Sequence, residues 1–304
     1  MEIWKPGRSP AIAVARSSPG ELAVGTPRPR RGVWSGVFRN RNLTIGAAIL
    51  LALLLAGGLA PVLTPYDPMA EDFAIALQAP SRHHPFGTDE FGRDVLTRVL
   101  YGIRIDLRVG VISVIPPFVI GVLLGALAGY FGGLADTVVM RLVDVVQAFP
   151  FLVLIIAVVA VLGPGLRNMY VAVAIVAWIV YARLVRGDII VAKNREYVLA
   201  AKAMGNSDWR IIRRHLLPNV ITAPIVYAAA DIALYILLAA ALSFLGLGAA
   251  PPTPEWGAMI TEGQSYMTTA WWISALPGLA IVVTGIGLSL LGDGLSDLLR
   301  RGGG

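Results

Sequence analysis

The chain contains no cysteine, which removes a disulfide framework, a thiolate metal site and a cysteine nucleophile. Histidine is nearly as scarce. His83, His84 and His215 are too few and too scattered for a metal site, and the His83-His84 pair precedes Pro85 in what reads as a polar turn; no metal ligand is expected. Charge is also sparse, at 14% of residues against about 25% in soluble domains. What fills the space is apolar: 56% of the 304 residues are hydrophobic and the mean hydropathy is +0.71. Several uncharged runs reach the ~20 residues a membrane span requires. Short alternating segments of the β-barrel kind are lacking. The fold class is therefore all-α, a polytopic membrane protein.

Six spans are expected. The first occupies residues 43–64, after a Pro-, Gly-, Ser- and Arg-rich stretch over 1–42 that reads as a disordered tail. Arg30-Arg31 ahead of that run could mimic a twin-arginine export signal, but the later spans favour an uncleaved first span. Residues 65–106 read as an outer loop. Within it Glu90 to Tyr101 could form an amphipathic surface helix with Phe91, Val95, Leu96 and Val99 on one face. A core over 107–292 holds the other five spans, and 293–304 is a short tail. The second span, about Leu107 to Tyr130, contains Pro116-Pro117, which should kink it. Gly121, Gly125 and Gly129 repeat every four residues along it. They form either a smooth packing stripe or the ordinary glycine content of a membrane helix. The third span is expected at Leu142 to Gly163, with Arg141 and Asp144 paired at its inner end. The fourth runs from Met169 to Val185, the fifth from Val220 to Leu247 and the sixth from Trp271 to Leu291, with Trp271-Trp272 as an interfacial anchor.

Lysine and arginine orient this bundle. Eight lie before the first span and eight between Arg183 and Arg214, while the loop 249–270 has none. Both termini and the basic segment are then cytoplasmic. The net charge of +6 has this topological explanation, so no nucleic-acid partner is expected. One conflict remains: Arg82, Arg93, Arg98, Arg104 and Arg108 fall on the outer side.

The basic segment, within a cytoplasmic loop 186–218, reads EYVLAAKAMGNSDWRIIRRHLLPN from Glu196 to Asn219. Glu196 to Met204 suits a helix, Gly205 suits a left-handed stop, and Asn206, Ser207 or Asp208 can cap a second helix. In that helix Trp209, Ile212 and Leu216 share one face and Arg210, Arg213 and Arg214 another. Such a helix is marginal alone. It suits equally a groove on a partner protein or an anionic lipid surface.

These residues resemble the E-A-A loop of prokaryotic ABC importer permeases, through Leu199-Ala200-Ala201, Gly205 and Leu217-Pro218-Asn219. The flanks HPFGTDEFGRDVLTRVLYG, AGYFGGLADTVVMRLVDVVQAFP, YARLVRGDI, LSFLGLGAAPPTPEWGAMI and LLGDGLSDLL narrow the resemblance to the C-type subunit of the dipeptide/oligopeptide (and nickel) permeases, over about residues 43–299. The resemblance implies a type I importer core forming half of a pore. It implies a second homologous permease, two cytoplasmic ATPases that bind ATP and Mg, an external substrate-binding protein and surrounding membrane lipid as partners. No cofactor is implied on this chain, which lacks a G-x-x-x-x-G-K-[ST] pattern and is not read as an enzyme. Coupling to the ATPases would rest on Glu196, Ala200, Ala201, Gly205, Asn206, Ser207, Asp208, Trp209, Arg210, Ile212 and Pro218. Gly121, Gly125 and Gly129 would pack one permease on the other.

The chain departs from the family pattern twice. Leu199 stands where the family carries Glu, with Glu196 one turn earlier. Ala239 stands where peptide permeases often carry an acid in the fifth span, with Asp231 eight residues before it. Asp231, with Ser243, is a candidate for the substrate pathway; Asp231 equally suits a polar contact between helices. The expected cargo is a di- or oligopeptide, with nickel chelates, glutathione or another small solute as alternatives. An ion-driven secondary transporter would call for internal repeats and several buried acids, which are not evident, and no constellation of catalytic residues converges to suggest a membrane enzyme.

Overall fold

The computed structural model describes residues 40–302. The expected tail over 1–42 therefore lies almost wholly outside the described residues. Among these residues the chain is helical, and the one trace of β pairing is an isolated bridge between Thr88 and Asp94. Twelve helices carry the architecture: α1 (Arg41–Gly58), α2 (Ala60–Leu63), α3 (Val95–Phe131), α4 (Gly133–Gln147), α5 (Phe151–Leu162), α6 (Leu166–Ala192), α7 (Glu196–Ala203), α8 (Asp208–Ile211), α9 (Leu217–Val220), α10 (Thr222–Phe244), α11 (Trp256–Gly263) and α12 (Trp272–Gly302). Five of them, α1, α3, α6, α10 and α12, are long and apolar enough to cross a membrane; α4 and α5, bent by 88°, make a sixth when counted as one broken span.

The break between α4 and α5 corrects the continuous third span. Hydropathy runs on through Ala148 and Phe149, but Pro150 disfavours the helical conformation for Phe149 and precedes the new helix at its N-cap. The pieces of 15 and 12 residues are about 22 and 18 Å long, each shorter than the ~30 Å apolar core. Asp144 pairs not with Arg141 but with Arg183 of α6, at 3.1 Å.

The expected surface helix at Glu90–Tyr101 is also corrected. Asp94 accepts the Thr97 amide at 2.7 Å as an N-cap, and the helix starting at Val95 continues without a break into the second span. Val95 and Val99 face the protein interior. Pro116 and Pro117 do not end α3; the helix is 37 residues, about 55 Å. The short C-terminal tail is corrected likewise, since α12 runs on through Gly302.

The glycine stripe meets a helix of its own chain. An added Cβ at Gly121 would lie within 2.5 Å of Tyr181 Cβ, at Gly125 2.5 Å from the Ala182 carbonyl, and at Gly129 2.9 Å from the Arg186 carbonyl. The stripe therefore seats α3 against α6, the most extensive helix contact in the molecule, and is not free for packing between permeases. Trp272 is likewise not at an interface: it is buried, with its Nε1 donating to the Thr88 carbonyl at 3.1 Å, while Trp271 is exposed.

Candidate functional site

The segment from Glu196 to Val220 is built onto the inner ends of α3 and α6. Helix α7 stops at Met204. Gly205 then takes φ +76°, and two bonds close the stop: Gly205 N–H to the Lys202 carbonyl at 3.0 Å and Asn206 N–H to the Ala201 carbonyl at 3.2 Å. This is the left-handed stop that the glycine suits. Asn206 adds a side-chain bond from Nδ2 to the Ala201 carbonyl at 2.9 Å. Ser207 occupies the N-cap position of α8 without a side-chain bond. Beyond α8 the chain widens over Ile212–Leu216, where the Leu217 N–H reaches back five residues to the Ile212 carbonyl. Pro218 follows and removes the next donor.

One side of this segment is core. Val198, Ala201, Ile211, Ile212, Leu216 and Val220 pack with Val122 and Ala126 of α3 and Val185 and Ile189 of α6. The Tyr130 hydroxyl donates to Asp208 at 2.6 Å, and Lys193 Nζ donates to the Gly129 carbonyl at 2.9 Å, fixing the segment to the end of α3. The expected apolar face of Trp209, Ile212 and Leu216 changes accordingly. Burial of Ile211 beside Ile212, with the widened turn altering the helical phase, leaves Trp209 outside. The other side presents Tyr197, Leu199, Met204 and Trp209, the last two 74% and 56% exposed, beside exposed Glu196, Ala200, Gly205, Asp208, Arg210 and Pro218.

Next to it lies a groove of about 1550 Å³ walled by the inner ends of α6, α10 and α12 and by Arg195, Glu196 and Tyr197. Asp188, Glu196 and Asp293 give it an acidic lining against the single cation Arg195. On α10 the lining is Thr222, Ala223, Val226, Tyr227 and Ala230. Asp231 instead points between α10 and α6, buried, with the Tyr181 hydroxyl donating to it at 2.6 Å and the Tyr235 hydroxyl at 3.4 Å. Ser243 closes the turn after α10, its Oγ accepting the Ala249 amide at 3.1 Å.

A charged cluster at the opposite end escaped the sequence reading. Arg93 pairs with Asp89 at 2.6 Å and with Glu262 of α11 at 2.9 Å; Arg98 reaches the same Glu262 oxygen at 3.0 Å and Asp89 at 3.6 Å. Both arginines are fully buried. His84 contacts Asp94 at 2.9 Å beside them. Burial pushes the Glu262 carboxyl above its ordinary range, and Arg98 and Arg93 pull it back. This cluster accounts for two of the five outer arginines, because Arg93 and Arg98 are buried against carboxylates inside the protein; Arg82, Arg104 and Arg108 lie outside it. Its signal was the run of acids and arginines at i, i+4 from Asp89 to Arg98.

The sequence matches the model of binding-protein-dependent transport system inner membrane components over residues 121–302, and that of the N-terminal TM domain of oligopeptide transport permease C over residues 28–80. The chain is 44% identical over 275 residues to the glutathione transport system permease protein GsiD of Pectobacterium atrosepticum, covering 89% of this chain and 90% of that one. It is 44% identical over 268 residues to the probable D,D-dipeptide transport system permease protein DdpC of Escherichia coli, covering 88% and 89%. It is 40% identical over 283 residues to the dipeptide transport system permease protein DppC of Alkalihalophilus pseudofirmus, covering 93% of each. The fold resembles that of the inward-facing MetNI methionine ABC transporter, with a TM-score of 0.51 at 19% identity, over 67% of this chain and 95% of that one. With six hydrophobic segments arranged in this fold and these relatives, the chain belongs to the inner membrane components of binding-protein-dependent transport systems, as a multi-pass permease subunit of an ABC importer.

Proposed function

We propose that this chain forms half of the pore of a peptide importer and passes ATP-driven motion to it through the segment Glu196–Val220. The observation that carries the reading is the two-sidedness of that segment. Its inner face is part of the core, while Leu199, Met204 and Trp209 stand exposed at its cytoplasmic rim. A rigid element anchored on one side and apolar on the other transmits displacement between docked bodies. The docked body is an ATPase subunit that binds ATP and Mg, one of two, with a second permease completing the pore and an external binding protein delivering cargo. Because Leu199 replaces the acid at the start of the E-A-A pattern, the contact rests on apolar side chains. Glu196, Tyr197, Asn219 and Val220 belong both to this segment and to the wall of the acidic groove, so a shift of the segment reshapes the groove.

The cargo class follows from relatives named for dipeptide, D,D-dipeptide and glutathione transport, the last itself a tripeptide. An acidic groove suits the ammonium group such cargo carries. The test is reconstitution with the ATPase, permease and binding-protein subunits in liposomes, following peptide uptake and ATP hydrolysis together. Peptide uptake by this chain with no ATPase present sinks the proposal. In the complete system Gly205→Val should uncouple hydrolysis from uptake, because a β-branched residue at φ +76° strains the stop, while Gly205→Asn should retain most coupling. Equal coupling in all three proteins removes the role assigned to this turn.

A further inference from the structure

At the outer end of the bundle, a groove of about 470 Å³ runs along the side of the molecule between α1 and α3. Arg104 and Arg108, one turn apart on α3, line it together with Leu107 between them, and Val111 and Ile112 of α3 and Leu54 of α1 complete its apolar wall. Arg104 is held across the top of the groove, with Nε donating to the Gly57 carbonyl at 2.5 Å and Nη2 to the Gly58 carbonyl at 2.8 Å. That leaves other guanidinium donors free. Arg108 is exposed and, among the described residues, makes no hydrogen bond or ion pair.

The depth of the two arginines follows from the helix itself. From Val109 to Phe131 no residue of α3 is charged, a length of about 34 Å at 1.5 Å per residue. That length matches the ~30 Å apolar core, so Arg108 stands at its outer edge and Arg104 one turn further out. Unlike Arg93 and Arg98, these two arginines have no carboxylate partner among the described residues, and they lie on the side where free cations are disfavoured. The arrangement is a pair of planar cations above an apolar trough, at headgroup depth. An anionic phospholipid supplies the complement: a phosphate that accepts bidentate bonds from a guanidinium, and an acyl chain for the trough.

We infer that this groove is a binding site for one anionic phospholipid of the outer leaflet, with its phosphate on Arg104 and Arg108 and an acyl chain against Leu54, Leu107, Val111 and Ile112. The site is separate from the cytoplasmic groove and stands whether or not the cargo is a peptide.

The test titrates the detergent-purified transporter complex with dioctanoyl phosphatidylglycerol, dioctanoyl phosphatidylcholine or inorganic phosphate and follows the thermal unfolding midpoint. Phosphatidylglycerol should raise the midpoint saturably. Arg108→Gln should weaken the concentration dependence by about tenfold, the loss expected for one charge-assisted contact. Arg82→Gln, in the exposed outer loop, should leave it unchanged. Arg108→Lys, which keeps the charge but loses the planar fork, should fall between and serves if Arg108→Gln fails to fold. Equal stabilisation by phosphatidylcholine, an equal effect of phosphate alone, or an unchanged titration in Arg108→Gln and Arg108→Lys overturns the assignment. A disulfide or cross-link from Val111→Cys to the second permease also overturns it, because the groove would then be a protein interface.

Discussion

Glu90 carries a cost within the buried charge cluster that its neighbours only partly relieve. Burial pushes its carboxyl above the ordinary range; Asp89 and Glu262 add to the shift, while its own backbone N–H and Arg93 oppose it. One of its oxygens, Oε2, is buried without a hydrogen-bond partner among the described residues. The folded protein therefore holds a proton on Glu90 more tightly than the unfolded chain does. The associated stability is fully present below the unfolded carboxyl value of about 4.3, and it is lost as pH rises through the higher folded value. Glu90→Gln should thus raise the unfolding temperature at pH 7.5, with the gain shrinking toward pH 4. Thermal scans across that range decide it: a gain undiminished at pH 4 would mean that titration is not its source. Glu262 differs in having two arginines on one oxygen. Removing it would leave Asp89 as the one paired carboxylate against two buried cations, so no comparable gain is expected there.

At the level of elements, the α3–α6 contact depends on the absence of side chains at three positions. Gly125 faces the Ala182 carbonyl so closely that even a methyl group must displace backbone. Gly125→Ala should lower stability by roughly 1–3 kcal/mol, the usual range for overpacking. Gly187 of α6 has open space around it. Gly187→Ala should be neutral or stabilising by up to about 1 kcal/mol, through helix propensity alone. Unfolding in a fixed detergent compares the two, and equal effects would mean that the stripe is not a close contact. The spacing of Gly121, Gly125 and Gly129 was legible in the sequence; their partner was not, because a smooth stripe accepts any helix that reaches it. Pro150 was equally visible, yet hydropathy is continuous across it and only the backbone reveals the 88° turn. Conversely, the stop at Gly205 was legible because it depends on one residue's backbone freedom. The outward position of Trp209 was not, because it depends on how Ile211 and Ile212 settle against α6.

For the whole molecule, orientation is directly testable because the chain has no native cysteine. A single cysteine at Arg82 should react in intact spheroplasts with a membrane-impermeant maleimide, and one at Lys202 only after permeabilisation. The reverse pattern would invert the bundle and place both the docking segment and the acidic groove outside. With the assigned orientation, the long helices connect an outer end stiffened by the Asp89–Arg93–Arg98–Glu262 cluster to an inner end where the segment Glu196–Val220 meets the groove. Helix α3 spans both ends: Val95 and Val99 pack beneath the outer cluster, and Tyr130 bonds Asp208 at the inner segment.

By itself the sequence determined the helical membrane class, the apolar segments and the polar segment with its glycine stop, and it set the orientation expected of them. Each of these rests on a one-dimensional property: the length of an apolar run, the bias of lysine and arginine, or the conformational range of one residue. Only the tertiary structure decided which surfaces meet. It seated the glycine stripe on α6, paired Arg93 with Glu262 across 169 residues of sequence, buried Asp231 among tyrosines and left Arg108 facing the groove beside α1. Those outcomes depend on close packing and charge neutralisation between residues remote in the chain, which no local pattern encodes.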